Sequence, residues 1–303
     1  MILLQRRTPL AKLLVLVFGL LIIAPAFGDD SKLPMWRIDG DSNRVYLLGS
    51  VHLLRPSDYP LPAGIYEAYA DAETLVMELD MDDLDTAAAQ SLASELGLAA
   101  AGSSLAVLLG AESYARASTL AAKASIPLEL LAQTEPWLAA ITIEQLMLTR
   151  IGFDPAFGVE NHLMERAIAD QKEILGLETM RQQLELLDGL PVAVQRALLL
   201  QTLEEGLEIQ AQMDMLIAAW RNGDIATLEA NILQDMQAQP VLYEELVVAR
   251  NKNWVKQIEL LLEDSDDYLI IVGALHLVGQ DGVPELLRQR GHAAKQLAQS
   301  DLQ

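Results

Sequence analysis

The chain holds four histidines, and two of them sit in near-copies of one short pattern. "VYLLGSVHLL", Val45 to Leu54, and "LIIVGALHLV", Leu269 to Val278, each run strand-forming residues into a glycine and place a histidine three positions later. The glycines are Gly49 and Gly273, followed by Ser50 or Ala274, an aliphatic residue, and His52 or His276. With 18 glycines and four histidines, chance supplies about a quarter of one G-x-x-H match. Two matches, each closing a strong strand pattern, therefore point to a shared purpose. A glycine at a strand end predicts a sharp turn where a side chain would clash. A histidine in that turn faces the crevice beyond the carboxyl ends of parallel strands, where ligands bind.

Glu78 belongs with them, because "TLVMELD" reads as the next strand and places this carboxylate near its carboxyl end. Two imidazoles and one carboxylate with an open position suit a divalent ion, Zn²⁺ or a harder one such as Mn²⁺, with Co²⁺ a further candidate. Such an ion lowers the pKa of a bound water and polarises a scissile carbonyl. Taken singly, each histidine could cap its strand, and Glu78 could be a surface carboxylate. The second copy has no matching acid: its last strand reaches Lys295 and Gln296. One site at a pseudo-twofold interface is therefore expected, rather than two equivalent sites. Since Zn–N bonds are only about 2 Å, the two histidines must converge.

The elements that must position these residues follow from periodicity and punctuation. "MWRIDGDSNRVYLLG" predicts a hairpin, with "DGDSN" as its turn. A helix near Ala63 to Asp71 and a strand over Thr74 to Asp80 complete a βαβ unit. Residues 83–125 read as helices broken at "GLAAAGSS" and "LLGAES", another helix covers Trp137 to Arg150, and one over Asn161 to Asp170 follows the loop "GFDPAFGVE". "EILGLE" is a buried strand, and from Met180 to Glu263 the pattern is almost wholly helical. "DYLIIVG" is a continuous apolar run, as a parallel strand covered on both faces requires. A helix in "GVPELLRQRG" and a strand in "HAAKQLAQ" close the chain. The fold class is α/β: a mixed, mainly parallel sheet built from both chain ends, with paired G-x-x-H units and a large helical insertion at about 180–263.

The N-terminus predicts export. Arg6, Arg7 and Lys12 precede an apolar stretch from Leu13 to Ala24, and small residues follow, the layout of a secretory signal. Cleavage before Asp29 leaves residues 29–303 as the mature domain, periplasmic or secreted; an uncleaved anchor is the alternative. No later stretch is apolar and long enough to cross a membrane. The net charge of −22 opposes nucleic acid or an anionic membrane as partner. With no cysteine, neither disulfides nor thiolate metal sites are available.

These motifs, with "GFDPAFGVE", "ILGLET", "ARNKNW" and "LVGALHLVGQDGV", resemble the TraB/GumN family, over about Trp36 to the C-terminus. Its animal relatives, the Tiki proteins, are metal-dependent proteases that act on Wnt proteins. The resemblance implies a fold related to the erythromycin esterase and ChaN group. It implies that His52, Glu78 and His276 are the essential residues, with Asp154 and Arg250 at further recurring positions. Asp154 is a further ligand or a helix cap. Arg250, which cannot lose its proton, stabilises an oxyanion, binds a carboxylate, or ties the helical segment to the core. Glu160 and Glu178 are weaker candidates, Glu178 the better because it ends a strand.

Three functions follow: an exported metal-dependent peptidase acting on a peptide or protein substrate; a metal-free hydrolase using His52 and Glu78 as base; or a non-catalytic metal or haem binder. No G-x-S-x-G elbow, H-E-x-x-H or phosphate loop is present, which disfavours the corresponding enzyme classes. Ser50 reads as a hydrogen-bonding support, since its counterpart is Ala274, and His162 and His292 read as structural. The stripe of Met213, Met215, Trp220, Met236 and Trp254 is core packing or a lid over the site.

Overall fold

The computed structural model describes residues 31–82, 85–206 and 208–302; the expected export signal lies outside them. Strands form where apolar runs can be buried on both sides. β1 (Lys32–Asp39) and β2 (Arg44–Ser50) make the hairpin, α1 (Ala63–Asp71) leads to β3 (Thr74–Leu79), and α2 (Thr86–Gly97), α3 (Leu105–Leu109), α4 (Ala111–Lys123) and α5 (Pro136–Arg150) follow. Then come α6 (Val159–Asp170), β4 (Glu173–Glu178), α7 (Met180–Asp188), α8 (Val192–Glu205) and α9 (Ile209–Arg221). Two longer helices are each interrupted by a π turn. The first joins α10 (Ile225–Leu228) through Glu229–Leu233 to α11 (Gln234–Gln237); the second joins α12 (Pro240–Tyr243) through Glu244–Val248 to α13 (Ala249–Leu261). β5 (Tyr268–Gly273), α14 (Val283–Gln289) and β6 (Lys295–Ala298) close the fold.

The sheet order is β4-β3-β5-β2-β1-β6. β4, β3, β5 and β2 are mutually parallel, and β1 runs antiparallel to β2 and β6. This is the expected mixed, mainly parallel α/β sheet. All six residues of β5 are buried, as its unbroken apolar sequence requires. On one face Tyr46, Leu48, Leu269 and Ile271 pack against α1, α6 and Trp220. On the other, Val45, Leu47, Ile270 and Val272 pack against Trp254 and Ile258 of α13 and Leu287 of α14.

The two motif strands, β2 and β5, lie side by side. Their register pairs Gly49 with Val272 and Ser50 with Gly273, so the motifs are offset by one residue. Because side chains alternate along a strand, that offset turns matching positions to opposite faces. This is the relation produced by a pseudo-twofold axis lying along the strands. The symmetry fails one strand further out. From β2 the chain crosses through α1 to β3, on the far side of β5. From β5 it crosses through α14 to β6, but the matching place beside β2 is taken by β1. β1 runs the other way, so no strand-end carboxylate is delivered there. Only one Glu78 exists for this reason.

The helical insertion runs from α7 at Met180 to α13 at Leu261. The segment from α7 to α13 does not stand alone: α8 joins α3, α4 and α5 in a separate apolar core of Leu105, Leu109, Ile143, Leu199 and Leu203. Trp220 and Trp254 are both fully buried, one on each face of the sheet, and are core, whereas Met215 of the same stripe is exposed. Among the described residues no helix is long and apolar enough to cross a membrane.

Candidate functional site

The site stands beyond the carboxyl ends of β2, β3 and β5. Neither motif glycine has a positive φ, so the expected sharp glycine turn is not what these residues supply. Both permit close approach instead. A Cβ on Gly49 would stand 3.2 Å from the Ala274 Cα and 3.3 Å from the Pro34 carbonyl oxygen. A Cβ on Gly273 would stand 3.3 Å from His52 Nε2, 3.4 Å from Glu78 Oε1 and 3.7 Å from His276 Cδ2. The tips of all three side chains therefore converge on the space that Gly273 leaves free.

His52 is fixed from α6. The Val159 N–H donates to the Val51 carbonyl at 3.1 Å and the Asp154 N–H to the Leu54 carbonyl at 3.0 Å. A Cβ on Gly158 would collide with the His52 carbonyl, so this glycine lets the helix start press against the turn. Glu160, in the first turn of α6, then lies 2.7 Å from His52 Nδ1 and accepts a short hydrogen bond from Ser50 Oγ. Glu160 raises the His52 pKa to about 9, more than burial lowers it. The ring is 60% exposed, so water screens part of that pull. Burial pushes Glu160 upward, but His52 and Ser50 hold it below the usual carboxylate range.

His276 is fixed from the opposite face by α13. Asn251 Nδ2 donates to the His276 carbonyl at 3.2 Å and to the Asp281 carbonyl at 2.8 Å. Its Oδ1 is thereby left to accept from His276 Nδ1, at 2.6 Å. The proton of neutral His276 is accordingly on Nδ1, and Nε2 carries a lone pair. Burial, with Arg250 and His52 nearby, lowers the His276 pKa to about 3 despite Glu78. The imidazole is neutral in neutral solution, and its ring lies 4.5 Å from that of Trp254.

Glu78 accepts from the Gly273 N–H at 2.8 Å through Oε1. Its Oε2 accepts from Arg250 Nη2 at 2.7 Å and from Gln183 Nε2 at 3.2 Å. Burial pushes Glu78 up, but His276, Arg250, His52 and the Gly273 N–H bring its pKa down to about 2. Because His276 is neutral above pH about 3, Arg250, the protonated His52 and the Gly273 N–H do this holding near neutrality. Arg250 also donates through Nε to Glu178, at 3.0 Å to Oε2, and through Nη1 to the Leu246 carbonyl at 3.2 Å. Its Nη1 lies 3.2 Å from His276 Nε2, and its guanidinium carbon lies 4.7 Å over the Trp254 ring. Trp254 Nε1 donates to Glu178 at 2.9 Å. Removing one member of such a buried charge network costs about 3–5 kcal/mol.

The model of the TraB/PrgY/gumN family matches residues 34–296. The chain belongs to the TraB/PrgY/gumN family. A protein of Escherichia coli (strain K12) carrying the name "Uncharacterized protein YbaP" is 24% identical over 247 residues, covering 82% of this chain and 89% of that one. An uncharacterized protein of Treponema pallidum (strain Nichols) is 21% identical over 267 residues, covering 84% of this chain and 80% of its own. No solved structure matches this chain.

Of the residues that the TraB/GumN resemblance singled out, the fold brings His52, Glu78, His276 and Arg250 together. Asp154 is not among them: it is exposed and accepts from the Ala156 N–H at 2.8 Å, capping the turn Pro155–Phe157. Ser50 is buried against Glu160, a support for His52 and not an open nucleophile. Glu178 holds Arg250, and Glu160 holds His52, which makes Glu160, not Glu78, the carboxylate partner of that ring nitrogen. Asn251 and Gln183 complete the site, although no motif singles them out. For Asn251 the signal was present, since "ARNKNW" puts it beside Arg250 and places Arg250 and Trp254 one helical turn apart.

Two imidazoles and one carboxylate are donor types that a divalent ion takes. Each imidazole is held through Nδ1 by a polar side chain, as metal-ligating histidines are, and the missing Cβ of Gly273 leaves room between His52 and Glu78. Among the described residues no three such groups yet close on a point as ligands, and the Arg250 guanidinium bridges His276 and Glu78.

Proposed function

We propose that this TraB/PrgY/gumN protein is a hydrolase of amide bonds in peptide or protein substrates, working outside the cytoplasm with a divalent metal ion held by His52, Glu78 and His276. The convergence of these three side chains on Gly273 carries the reading. When bound, the ion would supply a water nucleophile at neutral pH and polarise the scissile carbonyl. The chain's own groups have separable tasks. Glu160 orients His52 so that Nε2 faces the cleft, and Asn251 keeps the His276 proton on Nδ1. Arg250 keeps Glu78 ionised and in place. The guanidinium is fully engaged with Glu78, Glu178, Leu246 and His276, which favours a positioning role over direct oxyanion binding.

The test is titration of the metal-stripped protein with Mn²⁺, Co²⁺ and Zn²⁺, with His52→Ala and His276→Ala alongside, followed by a peptide-library cleavage assay. One equivalent bound by the wild type and lost in both variants, with matching loss of cleavage, is the expected result. No binding by the folded wild type overturns the metal-dependent reading.

The Glu160–His52 contact favours a second reading, metal-free hydrolysis with His52 as the general base. In that case chelator leaves cleavage intact, and Glu160→Gln reduces it. A His52 pKa near 9 would place that activity on the alkaline side.

A further inference from the structure

Resting on the metal reading above, we infer that Arg250 is a resident cation that a metal ion must displace, so that this arginine sets the site's metal affinity. His276 Nε2 carries the lone pair that a metal would take, and it faces Arg250 Nη1 at 3.2 Å. Glu78 Oε2, on the second ligand, accepts from Arg250 Nη2 at 2.7 Å. One guanidinium fork thus holds two of the three ligands.

The same arginine has a place to rest when it lets go. Glu178 accepts from its Nε, the Leu246 carbonyl accepts from Nη1, and the Trp254 ring lies beneath the guanidinium carbon. Glu178 is itself held by Trp254 Nε1, so this resting place does not depend on Glu78 or His276. The contacts divide into a set shared with the metal ligands and a set independent of them. Loss of the first set upon metal binding leaves the second intact. Arg250 therefore keeps two buried ligands hydrogen-bonded while metal is absent, at the expense of affinity when metal arrives. The π turn Glu244–Val248 ends two residues before Arg250 and supplies the Leu246 carbonyl, a local irregularity of the kind often found at functional sites.

The experiment is calorimetric titration of the metal-stripped full chain with Mn²⁺ and with Co²⁺, comparing wild type, Arg250→Met and Arg250→Lys, with thermal melts to show that each variant is folded. Co²⁺ absorption in the visible gives a second readout independent of activity. Arg250→Met is expected to bind about tenfold tighter or more, a change of roughly 1.4 kcal/mol, because His276 and Glu78 no longer have to be freed from a guanidinium. Arg250→Lys keeps the charge but loses the planar fork, and is expected to fall between the two. It also keeps the inference testable should the methionine variant not fold. Tighter binding by Arg250→Met than by wild type, with Arg250→Lys between them and all three proteins folded, would support displacement. Unchanged or weaker binding in Arg250→Met, or Arg250→Lys equal to wild type, would overturn the inference while leaving the metal site standing. Absence of binding in wild type and both variants would overturn the metal reading and the inference with it.

Discussion

Gly49 and Gly273 occupy the same place in their motifs, yet Gly49 stands opposite Val272 and Gly273 opposite Ser50. That offset of one residue sends the two motifs to opposite faces of the sheet. His52 is accordingly anchored by Glu160 of α6 on one side, and His276 by Asn251 of α13 on the other. The rings meet again only at their tips, over Gly273.

The two glycines should respond differently to one added methyl group. In Gly273→Ala the Cβ would crowd His52 Nε2 at 3.3 Å and touch Glu78 Oε1 at 3.4 Å, both ends of side chains lining the cleft. Because the Gly273 backbone suits any residue, stability should change by about 1 kcal/mol or less, while metal binding and cleavage fall sharply. In Gly49→Ala the Cβ meets backbone of Ala274 and Pro34, and stability should fall by about 1–3 kcal/mol. Denaturant unfolding and metal titration on both variants separate the two effects.

The Glu160–His52 pair gives a pH signature. His52 has its pKa raised by Glu160 to about 9, so its contribution to stability is fully present below the unfolded value of about 6.5 and is lost as pH rises through about 9. Glu160→Gln should bring the His52 pKa back toward 6.5 and flatten this loss. NMR titration of the ring protons in metal-stripped protein checks it. An unchanged His52 pKa in the variant would show that Glu160 is not the cause.

Asn251→Leu should harm the site through His276. The buried Nδ1–H loses its acceptor, which costs about 1–3 kcal/mol, and the ring loses the contact that fixes its tautomer. Metal affinity should drop about 10–100-fold. Calorimetry with a melt of each protein reads both; a variant with native affinity would count against the tautomer argument.

Asp154→Ala should leave metal binding unchanged, because its carboxylate caps the Pro155–Phe157 turn. Loss of the cap should cost about 0.5–2 kcal/mol. A variant as stable as wild type that binds metal poorly would instead make Asp154 a ligand.

Apolar runs, glycine stops and turn residues are local signals, so the strands, their parallel character and the two G-x-x-H units are legible in the order of the residues. That order also brings His52, Glu78 and His276 forward as one constellation, since strand-end positions in a parallel sheet share an edge. Tertiary structure alone decided which side chains hold which. Glu160 lies 108 positions from His52 in the chain, yet meets it because Gly158 admits the α6 start against the turn. Arg250 reaches Glu78, Glu178 and His276 together because α13 packs across β5 on the face that Trp254 fills. The purpose of the glycines was also invisible in the sequence, which cannot separate the need for a left-handed turn from the need for space. Nor could it show that β1 occupies the place of a second carboxylate strand, since strand order comes from packing between segments far apart in the chain.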